Sequence, residues 1–125
     1  MAKNTLLILL ILFIDSAAFA QATKLPVIVC SKHAKGAELL AAKELQRYLY
    51  LRTGRLPIVS PWEDQKTVPK PSIVVASWPT IASTVLAKEI ALAAAPVGEG
   101  YVLKSVNAHQ LWIVGGSEVA TLYGA

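Results

Sequence analysis

Four short, nearly unbroken apolar runs limit what this chain can fold into: Leu25–Cys30 (LPVIVC), Leu56–Val59 (LPIV), Ser72–Ala76 (SIVVA) and Leu111–Val114 (LWIV). Each is rich in β-branched residues and too short to be a stable helix, so each predicts a strand. Leu25–Cys30 and Ser72–Ala76 have no polar face and read as strands buried on both sides. Pro57 places the second run at a sheet edge or at the start of its strand, because proline cannot donate to a ladder.

Helices are predicted between these runs. Ala37–Thr53 is built from Ala, Leu, Glu, Lys and Gln, all good helix formers. Its apolar stripe is predicted to run through Ala41 or Ala42, Leu45, Tyr48 and Leu49, with Lys43, Glu44 and Arg47 solvated. Arg52 suits the last turn and Gly54 a left-handed cap. Pro79 fits the first turn of a second helix, expected to run to about Ala95 with Leu86 and Ile90 inward. The segment Ser60–Pro71, with three prolines, reads as a loop. Tyr101–Val106 alternates, Asn107-Ala108-His109 turns, and Leu111–Val114 returns antiparallel as a β-hairpin. Gly115-Gly116 ends that strand, and Ser117 is a predicted N-cap for a helix holding Val119, Leu122 and Tyr123. The expected order is β-α-β-β-α-β-β-α.

The N-terminus follows a different logic. Lys3 precedes the nine-residue apolar run Leu6–Ile14, and Ala18-Phe19-Ala20 supplies small residues before Gln21. This is the layout of a secretory signal peptide over residues 1–20, cleaved after Ala20. A membrane-spanning helix needs roughly 20 apolar residues. The expectation is export to the periplasm, cell surface or medium, with no membrane attachment after cleavage. Residues 21–125 then suffice for one small domain with a single core.

Composition excludes some partners. The net charge is +4 and stays +4 without Lys3 and Asp15. The basic residues are dispersed from Lys24 to Lys104, unlike the dense basic stripe of a nucleic-acid interface, so no nucleic-acid partner is expected. Cys30 is the sole cysteine, so no intrachain disulfide can form and stability must come from the core. As a nucleophile Cys30 would need a lowered pKa and an adjacent base. His33 is close in sequence, but at a strand end it is not presented to the thiol.

No residue set forms a catalytic site by itself. Glycoside hydrolysis needs two carboxylates about 5–10 Å apart across a bond. Glu38 and Glu44 read as helix-surface charges, and Glu63-Asp64 as adjacent loop residues that point apart. His33 and His109 are isolated, so neither a metal nor another cofactor is expected. Gly115-Gly116-Ser117 is a strand-to-helix turn that can present N–H groups to an anion, but it lacks a full G-x-G-x-x-G fingerprint. Trp62, Trp112 and Tyr123 are the candidate carbohydrate or interface contacts, with Trp62 expected to be the most exposed tryptophan.

Two local patterns, in order, resemble a known family. The first is Ala41-Ala42-Lys43-Glu44-Leu45-Gln46-Arg47-Tyr48-Leu49 followed by Thr53-Gly54 and Leu56-Pro57-Ile58-Val59. The second is Gly98-Glu99-Gly100-Tyr101-Val102-Leu103, then Leu111-Trp112-Ile113-Val114-Gly115-Gly116, then Leu122-Tyr123-Gly124. Together they resemble the N-terminal accessory domain that precedes the catalytic barrel of α-glucuronidases and bacterial-type β-N-acetylhexosaminidases. The resemblance spans nearly all of residues 24–125. It implies a mixed sheet with helices packed on one face, the other face resting on the barrel. The fold expected for the chain is α+β, a two-layer α/β sandwich with a mixed, largely antiparallel sheet and two helices on one face. The resemblance also implies that the catalytic carboxylates lie beyond this domain, so none is assigned here.

The expectation is therefore a non-catalytic domain of a secreted carbohydrate-active hydrolase, ending at Thr121-Leu122-Tyr123-Gly124-Ala125 ahead of a catalytic barrel of the same polypeptide, which is its first partner. Polysaccharide or oligosaccharide is the second. The rival expectation is a self-sufficient exported carbohydrate- or protein-binding module using Trp62 or Trp112. A third is a phosphate-binding α/β enzyme using Gly115-Gly116-Ser117.

Overall fold

A computed structural model describes residues 24–63 and 67–125. The segment assigned to a signal peptide and Asp64 of the acidic pair lie outside the described residues. The elements are β1 (Val27–Ser31), α1 (Gly36–Thr53), β2 (Val59–Trp62), β3 (Ser72–Ser77), α2 (Trp78–Ile81), α3 (Val85–Ile90), β4 (Tyr101–Asn107), β5 (Gln110–Gly115) and α4 (Glu118–Gly124). The strands form one mixed sheet in the order β2-β1-β3-β5-β4. The fold is α+β, as the order of elements predicts.

Strand direction departs from the expectation of a largely antiparallel sheet. β1 pairs parallel with β2 and with β3, and β3 pairs parallel with β5; among the described residues only the β4–β5 hairpin is antiparallel. The cause lies in the apolar runs. Strands without a polar face belong where both faces are covered, and parallel strands reach that state because their crossovers lay chain across the faces. β4 is the one alternating strand, and it forms the antiparallel edge.

The two predicted helical segments also lie on opposite faces, not on one. Ile28, Cys30, Val75 and Ile113 point to the face covered by Ala41, Ala42 and Leu45 of α1, with Leu122 of α4 alongside. The alternate residues Val29, Val74, Ala76, Trp112 and Val114 point to the other face. There they meet Ile81 of α2, Leu86 and Ile90 of α3, and Trp62 and Val68. α1 and α4 thus form the helical layer of the sandwich, while short helices and the β2–β3 connection close the second face.

α1 starts and ends close to its predicted bounds. Gly54 caps it in the left-handed conformation (φ 70°), its N–H donating to the Tyr50 carbonyl. Tyr48, expected on the apolar stripe, is exposed; the buried stripe is Glu38, Ala41, Ala42 and Leu45. The second predicted helix is broken in two. Thr84 explains the break: its hydroxyl donates to the Ile81 carbonyl and accepts from the Leu86 N–H, closing α2 and capping α3. Helices of four and six residues cannot hold themselves together in water. Burial of Ile81, Leu86 and Ile90, each contributing about 1.5–3 kcal/mol, keeps them in place.

β2 also begins later than its apolar run. Ile28 pairs with Val59 and Ser31 with Trp62, so the strand is Val59–Trp62, while Leu56 and Ile58 stay exposed. The edge position tolerates Pro61, whose missing N–H would break a central ladder.

At the far end, Ser117 caps α4 by accepting the Ala120 N–H. A Cβ on Gly115 would run into the Thr121 backbone, whereas one on Gly54 would meet open space. Gly115→Ala is expected to lower the unfolding free energy by about 2–4 kcal/mol, through displacement of α4. Gly54→Ala should cost only about 1 kcal/mol, from its positive φ. Equal losses in urea unfolding would show that the α4–β5 contact is not the tight one.

Candidate functional site

The parallel strands end together at Ser31, Ser77 and Gly115. β1 leads from there into α1 on one face, and β3 leads directly into α2 on the other. Such a divergence at the carboxyl ends of strands is where open α/β sheets place ligands. In this chain a carboxylate sits there. Glu38, in the first turn of α1, is 1% exposed. Its Oε2 accepts hydrogen bonds from Ser77 Oγ (2.8 Å) and Thr80 Oγ1 (2.8 Å), and those two hydroxyls are themselves 2.8 Å apart. Its Oε1 is buried with no hydrogen-bond partner among the described residues.

The sequence reading placed Glu38 on a solvated helix surface, and the structure corrects this. Glu38, Ala42 and Leu45 are spaced four and three residues apart and share one face, so the cue was in the helix period. Removed from solvent, the carboxylate joins α1 to the β3–α2 junction across the sheet end. It acts as a fastener and is not presented to a substrate.

Cys30 lies close by on β1 and is buried. Burial pushes its thiol above the ordinary value of 9.0, and the Glu38 carboxylate pushes it further the same way. A nucleophilic thiol needs the opposite shift. His33 is exposed, and its backbone N–H donates to Ser31 Oγ at 3.1 Å. Among the described residues, no group of three or more His, Cys, Asp or Glu side chains is arranged to hold a metal ion.

The glycine turn is filled by its own chain. The Gly116 N–H donates to the Gly100 carbonyl at 2.7 Å, and Val97 and Gly98 pack where a Gly116 side chain would be. The Ser117 hydroxyl is occupied by the Ala120 N–H. The turn therefore offers no open anion cradle, and close backbone approach accounts for both glycines.

The aromatic candidates separate. Trp62, expected to be the most exposed tryptophan, is 3% exposed, because β2 extends to include it and turns it into the cluster with Val29 and Val68. Trp112 is 0% exposed at the centre of β5, its indole Nε1 buried without a hydrogen-bond partner among the described residues. Neither presents a ring face on which a sugar could stack. Tyr123 is 61% exposed on α4. It stands beside Val119 one turn earlier on the helix, and next to Gly124, which packs against Ile113 and Tyr101. No protein-family model matches the chain, and no curated protein matches it.

Glu38→Ala leaves the Ser77 and Thr80 hydroxyls with only each other, and is expected to cost about 2–4 kcal/mol in urea unfolding. Glu38→Gln, whose amide oxygen still accepts, should cost less. An alanine variant as stable as the parent would show that the carboxylate fastens nothing.

Cys30 gives a pH dependence of known sign. Its folded-state pKa lies above the unfolded value, so the folded chain holds its proton where the unfolded chain releases it. This stabilising contribution is complete below pH 9.0 and is lost as the pH rises through the higher folded value. The stability difference between the parent and Cys30→Ala should therefore narrow between pH 8 and pH 11 in chemical denaturation. A constant difference across that range would mean the thiol titrates alike in both states.

Proposed function

We propose that the folded unit is a non-catalytic N-terminal domain of a secreted carbohydrate-active hydrolase, α-glucuronidase-like or β-hexosaminidase-like. It packs against and supports a catalytic barrel carried elsewhere in the same polypeptide. The observation that carries this reading is an exposed apolar surface on the side of α1 and α4. Tyr101 and Leu103 project from β4, and Val119 and Tyr123 from α4; Leu103 is 56% exposed. Tyr101 lies against Gly124, so the two elements form a continuous surface.

Single exposed apolar side chains are ordinary, but a cluster of four spanning a strand and a helix marks a contact surface. The resemblance implies a bare sheet face for the barrel. Here α2 and α3 occupy that sheet face, which moves the supposed contact to the α4–β4 side. The supporting role also agrees with the chemistry of the most buried acid. Glu38 fastens helices together, as a framework needs, and the order of motifs from Ala41 to Gly124 resembles that of the accessory domain.

The expressed chain is expected to turn over no aryl glycosides and to bind an apolar dye such as anilinonaphthalene sulfonate. The double variant Leu103→Lys, Tyr123→Lys should bind much less dye, while its unfolding free energy stays within about 0.5 kcal/mol of the parent. Measurable glycoside turnover by this chain would overturn the non-catalytic reading. Unchanged dye binding would overturn the docking surface.

A further inference from the structure

At the opposite end of the parallel strands from Glu38 lies an open groove of about 260 Å³. Segments far apart in sequence build it: Thr67 and Lys70 before β3, Glu89 on α3, and Val106, Asn107 and Gln110 at the β4–β5 turn. We propose that this groove binds a single saccharide ring. The inference goes beyond the supporting role and does not depend on it, since it rests on the groove's own groups.

The walls are held in place before any ligand arrives. The Asn107 side-chain amide donates to Gln110 Oε1 at 2.9 Å, and its own carbonyl accepts the His109 N–H at 2.8 Å. Both ends of that carboxamide are fixed. Gln110 is 7% exposed, and among the described residues its Nε2 reaches only Ser72 Oγ, at 3.5 Å, the limit of a hydrogen bond. A buried amide N–H at the groove is thus left with donor capacity.

On the other side, Glu89 precedes a pinned helix end. Lys104 Nζ donates to the Ile90 and Ala91 carbonyls at 2.7 and 3.0 Å. Ala91 is held at φ 46°, a left-handed conformation that is unfavourable for a residue with a Cβ. Backbone strain of this kind is retained where surrounding contacts enforce it, and it recurs beside ligand sites.

The chemistry of the lining selects the ligand. Lys70 and the Gln110 amide donate, Glu89 accepts, and the Thr67 hydroxyl does both. Val106 supplies an apolar wall. A polyhydroxylated ring matches this set, because each sugar hydroxyl donates and accepts and the ring's C–H face is apolar. A phosphate would meet the Glu89 carboxylate, and a purely apolar ligand would strip water from charged groups without replacing it. The volume falls below the roughly 300–1,000 Å³ of pockets for drug-sized ligands, so one ring is the fitting size.

The test is a titration of the expressed, isotope-labelled chain with methyl β-D-glucopyranoside and with N-acetylglucosamine, followed by amide NMR shifts. The expected result is saturable shifts at residues 67, 68, 70, 89 and 106–110, with millimolar dissociation constants. Lys70→Ala and Glu89→Ala each remove one charged contact from an exposed position, and each should weaken binding by about tenfold or more. Docking at Tyr123 is read by dye binding and this site by groove amides, so either can fail alone. The proposal is overturned by no saturable shifts with either sugar, by shifts confined to other residues, or by variants that bind like the parent. It is also overturned if glycine, used as a zwitterionic control, binds the groove and the sugars do not.

Discussion

The parallel ladder β1-β3-β5 is the constraint on which the rest of the structure depends. Each of its strands runs in the same direction, so the chain must return over a face of the sheet before starting the next. α1 makes that return on one face, and the β2–β3 connection carries Val68 across the other. The ladder also gathers the ends of β1 and β3 at one point. Glu38 is buried there because α1 starts on one face and α2 on the other, and a short, polar, hydrogen-bonded link is what can span the gap between them.

Much of this was legible in the residues. The Ala- and Leu-rich stretch up to Thr53, the Gly54 cap, the Ser117 cap and the β4–β5 hairpin all follow from local chemistry, and local chemistry decides them in the structure. The strand directions were written in the same sequence. Continuous runs such as SIVVA belong to parallel strands covered on both faces, and the alternating Tyr101–Val106 belongs to an antiparallel edge. The expectation of a largely antiparallel sheet ran against this pattern, and the apolar runs were the better guide.

What the sequence hid was decided at a distance. Pairing with β1 fixes β2 at Val59–Trp62, and Leu56 and Ile58, though apolar, have no strand opposite them. The same pairing buries Trp62. The break at Thr84 was visible as a Ser-Thr pair inside an alanine-rich run, since both residues favour caps over helix interiors. The groove near Gln110 had no sequence signature, because its lining residues come from three segments and meet only through the order of the strands.

The register of the central ladder also bears on how the chain acquires its shape. Val27 pairs with Ser72, and Ser72 with Gln110. Each step of the ladder therefore closes a long loop, and that entropy must be lost before the contact returns any energy. α1 and the hairpin can form early from neighbouring residues, while β1, β3 and β5 must wait for segments made much later. A polypeptide with this wiring cannot close its central ladder until β5 has been made, so synthesis order delays the sheet rather than the helix.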